Sequence, residues 1–306
     1  MSVICFENVT KSYCAGQVVL QDVSFSIDEG EIVTLIGSSG CGKTTMLKLI
    51  NGLLTADSGE IFIYGKKISE WDTVDLRRRI GYVIQQVGLF PHMTVAENIS
   101  YVLMLKAEDK RRCESRAKEL IGLVGLDTSY LARYPRELSG GQKQRVGVAR
   151  ALAADPPIVL MDEPFGAVDE ITRQKLQDEL LNVQAALHKT IVFVTHDIEE
   201  AFKLGTRIAF FSQGRIVQAG TRDTMAFSGH NTEMDSFFGG KNFAAFLATT
   251  PIKAAMKETK SSIEAVGTAI DGNASLMEAL RILLNSKQKR LIVTDDNNTV
   301  GEFGYE

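Results

Sequence analysis

The sequence lacks a surplus of basic residues: 34 Lys and Arg stand against 38 Asp and Glu, a formal net charge of −4. General nucleic-acid binders carry such a surplus, so nucleic acid is not an expected partner. Cysteine is scarce and unpatterned. Cys5, Cys14, Cys41 and Cys113 form no C-x-x-C pair and no metal-ligand spacing, which reads as reduced thiols in a cytosolic protein. The first residues show no basic stretch followed by an apolar one, so no signal peptide is expected. No apolar run approaches the roughly 20 residues that span a bilayer, and no sustained heptad array occurs. The chain is therefore expected to be soluble, with any membrane role reached through a partner. Its 306 residues suffice for two domains, or for one large domain with an appendage.

What is present begins with strands. Val3–Phe6 and Val23–Ile27 carry β-branched and aromatic residues and read as an antiparallel pair, with Asp28–Glu31 as a turn. Ile32–Ile36 is a short apolar run entering a glycine-rich loop, and Thr44 to Leu54 reads as helix. Residues from about 88 to 150 read as mostly helical; Ala117, Leu120, Ile121 and Val124 recur at helical spacing. Ile158–Met161 and Ile191–Thr195 are buried-type strands with helix between them, which argues for a largely parallel α/β sheet. At about 228–262 glycines and serines interrupt the periodicity and suggest a linker. A strand (Val266–Ile270), a helix (Ser275–Asn285, with Ser275 and Glu278 at capping-box spacing) and a strand (Leu291–Thr294) follow.

Three segments carry chemistry. Gly37-Ser38-Ser39-Gly40-Cys41-Gly42-Lys43-Thr44 fits G-x-x-x-x-G-K-[ST] between a strand and a helix. Its backbone N–H groups cradle phosphates, Lys43 reaches the β/γ oxygens and Thr44 supplies a magnesium ligand. Asp162 and Glu163 end an apolar strand. Alone they read as a solvated strand end; beside a P-loop, Asp162 reads as a Mg²⁺ ligand and Glu163 as the group that accepts a proton from attacking water or orients it. Leu138-Ser139-Gly140-Gly141-Gln142 reads as a small-residue turn before a helix from Lys143 to Leu152, a second anion site. Two such sites suggest a phosphate chain clamped from both sides.

The P-loop, the 138–142 segment and the Asp162-Glu163 pair, in that order along the chain, resemble the nucleotide-binding subunit of ABC transporters over about residues 1–240. The resemblance implies an α/β P-loop NTPase fold of the ABC type: a mixed sheet with an antiparallel β subdomain and a helical subdomain at about 88–150, together residues 1–238. It implies ATP and Mg²⁺ as cofactors, the nucleotide held by Gly37–Thr44 and Thr45. Tyr13 falls where the family stacks an aromatic on adenine. Gln85 matches the Q-loop glutamine that touches Mg²⁺ and signals to the membrane subunit, with Gln86 the neighbouring alternative. Asp169 matches the D-loop, although the family more often has Leu where Val168 stands. His196 matches the switch histidine at the γ-phosphate. Ser139, Gly140, Gly141 and Gln142 are the signature motif, which in the family closes on ATP held by a second subunit. The catalytic set is thus Glu163, His196 and Gln85, the metal set Thr44, Gln85 and Asp162, and the first partner a second copy of the chain.

ABC proteins that repair DNA interrupt the domain with long coiled coils, and ribosome-acting ones usually carry two ATPase domains; neither feature occurs here. A binding module without activity is disfavoured because no motif residue is missing. Gly88–Asn98 resembles the importer segment that docks an integral membrane permease, with Phe90 and Met93 as apolar anchors or as ordinary loop packing. Thr250–Met256, Asp271–Leu280 and Arg290–Asp295 resemble one CBS motif, the tail typical of osmoprotectant importers. The expectation is an ATPase subunit at the cytoplasmic face of the membrane. It powers import of glycine betaine, carnitine or choline, with an extracellular solute-binding protein as an indirect partner. The alternative is another small polar solute such as an amino acid. Residues 239–262 are expected as linker and 263–306 as a single, partial CBS-like module, pairing across a homodimer or regulating transport by ionic strength or a nucleotide.

Overall fold

The computed structural model describes residues 1–13, 16–85, 88–227, 232–258, 268–286, 288–295 and 298–304. Cys14, Gln86, Ser261, Ser262 and the first part of the expected 266–270 strand lie outside these residues. The described residues divide into two compact units, Met1–His196 with Leu204–Ala219, and Asp197–Lys203 with Gly220–Glu306.

The first unit opens with β1 (Ser2–Ser12) and β2 (Val18–Asp28), paired antiparallel with Ile4 opposite Ile27 and Phe6 opposite Phe25. The turn after β2 is closed by Glu31, whose carboxylate accepts from Asp28 N at 2.8 Å. β3 (Ile32–Gly37) is buried throughout and leads to α1 (Lys43–Ile50). The helix ends four residues before the expected Leu54, because Gly52 turns the chain at a φ of 60°. β4 (Ser58–Ile63) returns to the far side of β1, and β5 (Lys66–Lys67) extends that sheet. Then come α2 (Thr73–Arg78) and β6 (Ile80–Val83).

The expected helical stretch contains α3 (Val95–Leu105), α4 (Lys110–Leu123) and α5 (Gly140–Leu152). Val95, Ile99, Leu120, Ile121, Val124 and Val146 share one buried core, so the 3.6-residue period of the apolar positions is what holds this layer together. β7 (Ile158–Asp162), α6 (Glu170–Leu187), β8 (Thr190–Val194), β9 (Arg207–Ser212) and β10 (Arg215–Gly220) follow; α7 (Ile198–Leu204), between β8 and β9 in the chain, belongs to the second unit but for its last residue.

The second sheet has the order β10-β9-β3-β8-β7-β6. β3 runs parallel to β8 and β9, and β7 parallel to β6 and β8. β3, β7 and β8 are buried along their whole length, as continuous apolar strands covered on both faces should be. Asp162 is in register with Val194, and Gly37 with Phe211. The carboxyl ends of β3, β7 and β8 therefore meet at one edge, where open α/β sheets gather their ligands.

The second unit contains α8 (Arg222–Phe227), α9 (Thr232–Phe238), α10 (Lys241–Thr249), β11 (Lys257–Glu258), β12 (Thr268–Asp271), α11 (Leu276–Ser286), β13 (Arg290–Asp295) and β14 (Asn298–Gly304). Its sheet runs β11-β14-β13-β12, with β12 parallel to β13. Leu276, Ala279 and Leu283 of α11 are buried, as are Leu291 and Val293 of β13. Residues 241–249, read above as part of a linker, are helical. Gly240 stands at the N-cap of α10 with a φ of 79°, a helix start where the sequence suggested a linker. Asn242 Nδ2 donates to Met225 O at 3.1 Å, and Ala245 and Phe246 are buried.

Candidate functional site

β3 delivers its last residue, Gly37, into a loop that cannot spread. A side chain at Gly37 would meet Phe211 O, and one at Gly42 would stand 2.6 Å from Leu20 Cδ2 and 2.7 Å from Val19 O, at a φ of 111°. Gly42 is the N-cap of α1, so the first N–H groups of that helix face the loop. Lys43 is buried, and its ammonium donates to Gly37 O at 2.7 Å and Ser38 O at 2.8 Å, with Cys41 Sγ at 3.4 Å. A cationic group is thereby held at the rim of a ring of backbone donors, a cradle for a phosphate chain. Tyr13, half exposed, shares a 3.1 Å hydrogen bond between its hydroxyl and that of Thr45.

Next to this loop lie the carboxylates. Thr44 Oγ1 donates to Asp162 Oδ1 at 3.0 Å. Burial raises the Asp162 carboxyl above its ordinary pKa; the Thr44 bond opposes this, the Glu163 charge adds to it, and Lys48 and Lys43 oppose it. A nearly enclosed carboxylate (3% exposed) beside a hydroxyl oxygen is a donor set for a hard cation. Glu163 has a φ of 47°, and its N–H donates to Val194 O at 3.0 Å. Its side chain stands between two of the expected residues: Gln85 Nε2 donates to Oε2 at 3.1 Å, and His196 Nδ1 lies 3.4 Å from Oε1. Residues 85, 162, 163 and 196, far apart in sequence, converge because β6, β7 and β8 end side by side.

The 138–142 segment differs from the turn expected of it. The helix begins at Gly140, three residues early, and the glycines belong to its first turn. Ser139 is the N-cap. Its hydroxyl accepts from Gln142 N at 3.3 Å while Gln142 Oε1 accepts from Ser139 N at 2.9 Å, a capping box that starts the helix before the glycines. Gln142 Nε2 reaches Tyr130 Oη at 3.2 Å. Asp169 caps α6, its carboxylate accepting from Thr172 N at 3.0 Å, and that bond holds its pKa below the ordinary value.

The family profile described as ABC transporter matches residues 20–166. Along the whole chain, the glycine betaine/carnitine/choline transport ATP-binding protein OpuCA of Bacillus subtilis is 44% identical over 294 residues, 96% of this chain and 76% of that protein. The osmoprotectant import ATP-binding protein OsmV of Salmonella typhimurium is 52% identical over 241 residues, 77% of this chain and 63% of that protein.

The chain belongs to the ATP-binding proteins of the ABC transporter family.

A solved dimeric ATP-binding cassette, in a post-hydrolysis state with ADP and Pi, superposes with a TM-score of 0.68 at 38% identity, covering 71% of this chain and 98% of that one. The chain is thus an ABC ATPase, with the P-loop NTPase fold of that family. Two features of this ABC ATPase escaped the motif reading. Gln144 is buried on α5 and bonds to the loop after β7; its signal was a polar residue on the apolar side of a helix. Tyr82 is the other: burial, then Asp162 and Tyr13, push its hydroxyl far above its ordinary pKa. The segment after β6 forms one wall of a cleft of about 280 Å³ that Arg77, Tyr82, Phe90, Tyr101 and Arg150 help line. Phe90 packs on Tyr101 at 4.5 Å between ring centroids, and Arg150 donates to Gly88 O at 2.6 Å. Among the described residues, no helix is long and apolar enough to cross a membrane.

Proposed function

We propose that this chain is the ATP-hydrolysing subunit of a membrane importer for a quaternary-amine osmoprotectant: glycine betaine, carnitine or choline. The observation that carries the hydrolytic half is the Glu163 carboxylate, poised between Gln85 and His196 at the strand end beside the P-loop. The quaternary-amine half rests on the relatives: the name of OpuCA specifies glycine betaine, carnitine and choline, and that of OsmV an osmoprotectant.

In this reading Gly37–Thr45 bind the triphosphate of ATP, Lys43 moves from its loop carbonyls to the β/γ oxygens, and Tyr13 stacks on adenine. Thr44, Asp162 and Gln85 hold Mg²⁺, an oxygen-only set of the kind that ion takes. When bound, Mg²⁺ offsets charge on the phosphate oxygens. Glu163 accepts a proton from water as the water oxygen bonds to the γ-phosphorus and the bond to the β,γ-bridging oxygen breaks. His196 contacts the γ-phosphate. Ser139–Gln142 and Asp169 face ATP on a second copy of the chain, a reading supported by the dimeric relative. Hydrolysis then separates the copies.

The same reading puts the chain at the cytoplasmic face, with permease subunits docked near Phe90 and Met93 and an extracellular solute-binding protein acting through them. β12, α11 and β13 follow the strand–helix–strand order of a CBS-like module, proposed here as the regulatory or dimer-stabilising tail. The test has two arms. Magnesium-dependent phosphate release by the purified chain is the expected result, and its absence would overturn the ATPase assignment. Labelled glycine betaine should enter vesicles containing the reconstituted complex only when ATP is supplied; ATP-driven uptake of an amino acid in its place would overturn the solute assignment.

A further inference from the structure

Gln144 is 4% exposed and holds no place in the chemistry above. It lies on α5 four residues after Gly140 and three after Gly141, on the same helix face. That face meets the loop between β7 and α6: a side chain at Gly141 would stand 2.9 Å from Ala167 O. The Gln144 amide bridges this loop. Nε2 donates to Glu163 O at 3.3 Å, and Oε1 accepts from Ala167 N at 2.8 Å.

The bridge matters because of the backbone it holds. Glu163 has a φ of 47°, a conformation that a non-glycine residue keeps only when its surroundings impose it. Glu163 N is tied to Val194 O and Gly166 N to Glu163 O, at 3.0 and 3.3 Å. Gln144 adds a side-chain tie to the loop backbone, and it joins the first residue of the loop to the fifth. A side-chain amide offers a donor and an acceptor in one plane, at the reach this bridge needs. Methionine of similar length has neither N–H nor carbonyl, and glutamate sets a carboxylate oxygen against the Glu163 carbonyl.

We propose that Gln144 is a positioning residue for hydrolysis, fixing the Glu163 backbone so that the carboxylate stays between Gln85 and His196. The inference rests on Glu163 being the proton acceptor. It has a further consequence: Ser139–Gln142 begin the helix that carries Gln144, so the segment assigned to the partner's ATP reaches the chain's own carboxylate through one side chain.

The test uses the full chain with Gln144→Met and Gln144→Glu, each alone and combined with Glu163→Gln. Phosphate release at saturating Mg·ATP should fall about 10- to 100-fold in both single variants, with KM for ATP and the affinity for a fluorescent ATP analogue within about twofold of wild type. In Glu163→Gln the second substitution should cost nothing more, because the group it positions is gone. Amide hydrogen exchange across 163–167 should be faster in Gln144→Met. Rates within twofold of wild type in a folded variant overturn the proposal, as does a defect that adds in full to Glu163→Gln. Loss of the folded state in both variants overturns it too, since the amide then serves the fold at large. An inactive wild-type chain would defeat Glu163 as proton acceptor, and the exchange measurement would still decide whether Gln144 holds the loop.

Discussion

The two glycine-rich segments of this ABC ATPase look alike in sequence and use glycine for different reasons. In the P-loop, Gly42 has a φ of 111° with backbone and side-chain atoms where a Cβ would go; glycine is there for conformation and for space. In the signature segment, Gly141 sits inside a helix, and only space is at stake, against Ala167 O at 2.9 Å. One segment is a strained loop closed by Lys43, the other an ordinary helix start closed by Ser139 and Gln142. Backbone N–H groups are thus presented in two ways: by bending the backbone into a loop, or by leaving free those a helix cannot use.

If that contrast holds, Gly42→Ala should have the largest effect. The left-handed φ costs on the order of 1 kcal/mol and the overpacking about 1–3 kcal/mol more, and relief by loop movement would dismantle the cradle. Nucleotide binding should be lost outright; a binding isotherm with a fluorescent ATP analogue checks this, and retained affinity would break the comparison. Glu163→Gln comes next. Both glycine segments stay intact, so ATP should still bind and the chain should accumulate as a dimer, while phosphate release falls by about 10² to 10⁴. Size-exclusion chromatography with Mg·ATP together with a phosphate assay reads both; a monomeric, fully active variant would sink the assignment.

Much of this was legible beforehand, and what was not has identifiable causes. The parallel core could be read because β3, β7 and β8 are continuous apolar runs, a pattern that survives without tertiary information. The P-loop could be read because its glycines, lysine and threonine act locally. The signature segment was misread as a turn because glycine is a poor helix former, while the capping box of Ser139 and Gln142 starts the helix in spite of it. The residues at 241–249 were read as linker because glycines and serines interrupt the periodicity around them, and yet Gly240 is an N-cap. Gln144 could not be assigned from sequence, because its partners at 163 and 167 are brought to it only by packing of α5 on the loop after β7.

Gly141→Ala sharpens the contrast from the other side. Alanine gains up to about 1 kcal/mol of helix propensity, which offsets only part of the overpacking of about 1–3 kcal/mol against the backbone at Ala167 O, so thermal stability should fall slightly. The first turn of α5 must nevertheless shift by a few tenths of an ångström. Affinity of the chain's own P-loop for nucleotide should stay within twofold, while phosphate release drops roughly tenfold. Equal loss of binding in Gly141→Ala and Gly42→Ala would erase the distinction between the segments.

The smallest expected effect on stability concerns what stands behind the P-loop. Asp162 is buried, and burial raises its carboxyl pKa. The folded chain therefore keeps this proton to a higher pH than the unfolded chain. Between the ordinary and the raised pKa the native state binds more protons, so this group's contribution to stability falls as pH rises through that window. Asp162→Asn removes the penalty and still offers Oδ1 to Thr44. Without nucleotide, the variant should melt slightly above wild type at neutral pH, with the gap closing as pH falls below the ordinary carboxylate range. With Mg·ATP the order should invert, because wild type alone then gains a cation against the buried charge, and phosphate release should be lost in the variant. A variant that melts below wild type at neutral pH without nucleotide would mean that Asp162 is held as a satisfied structural anion.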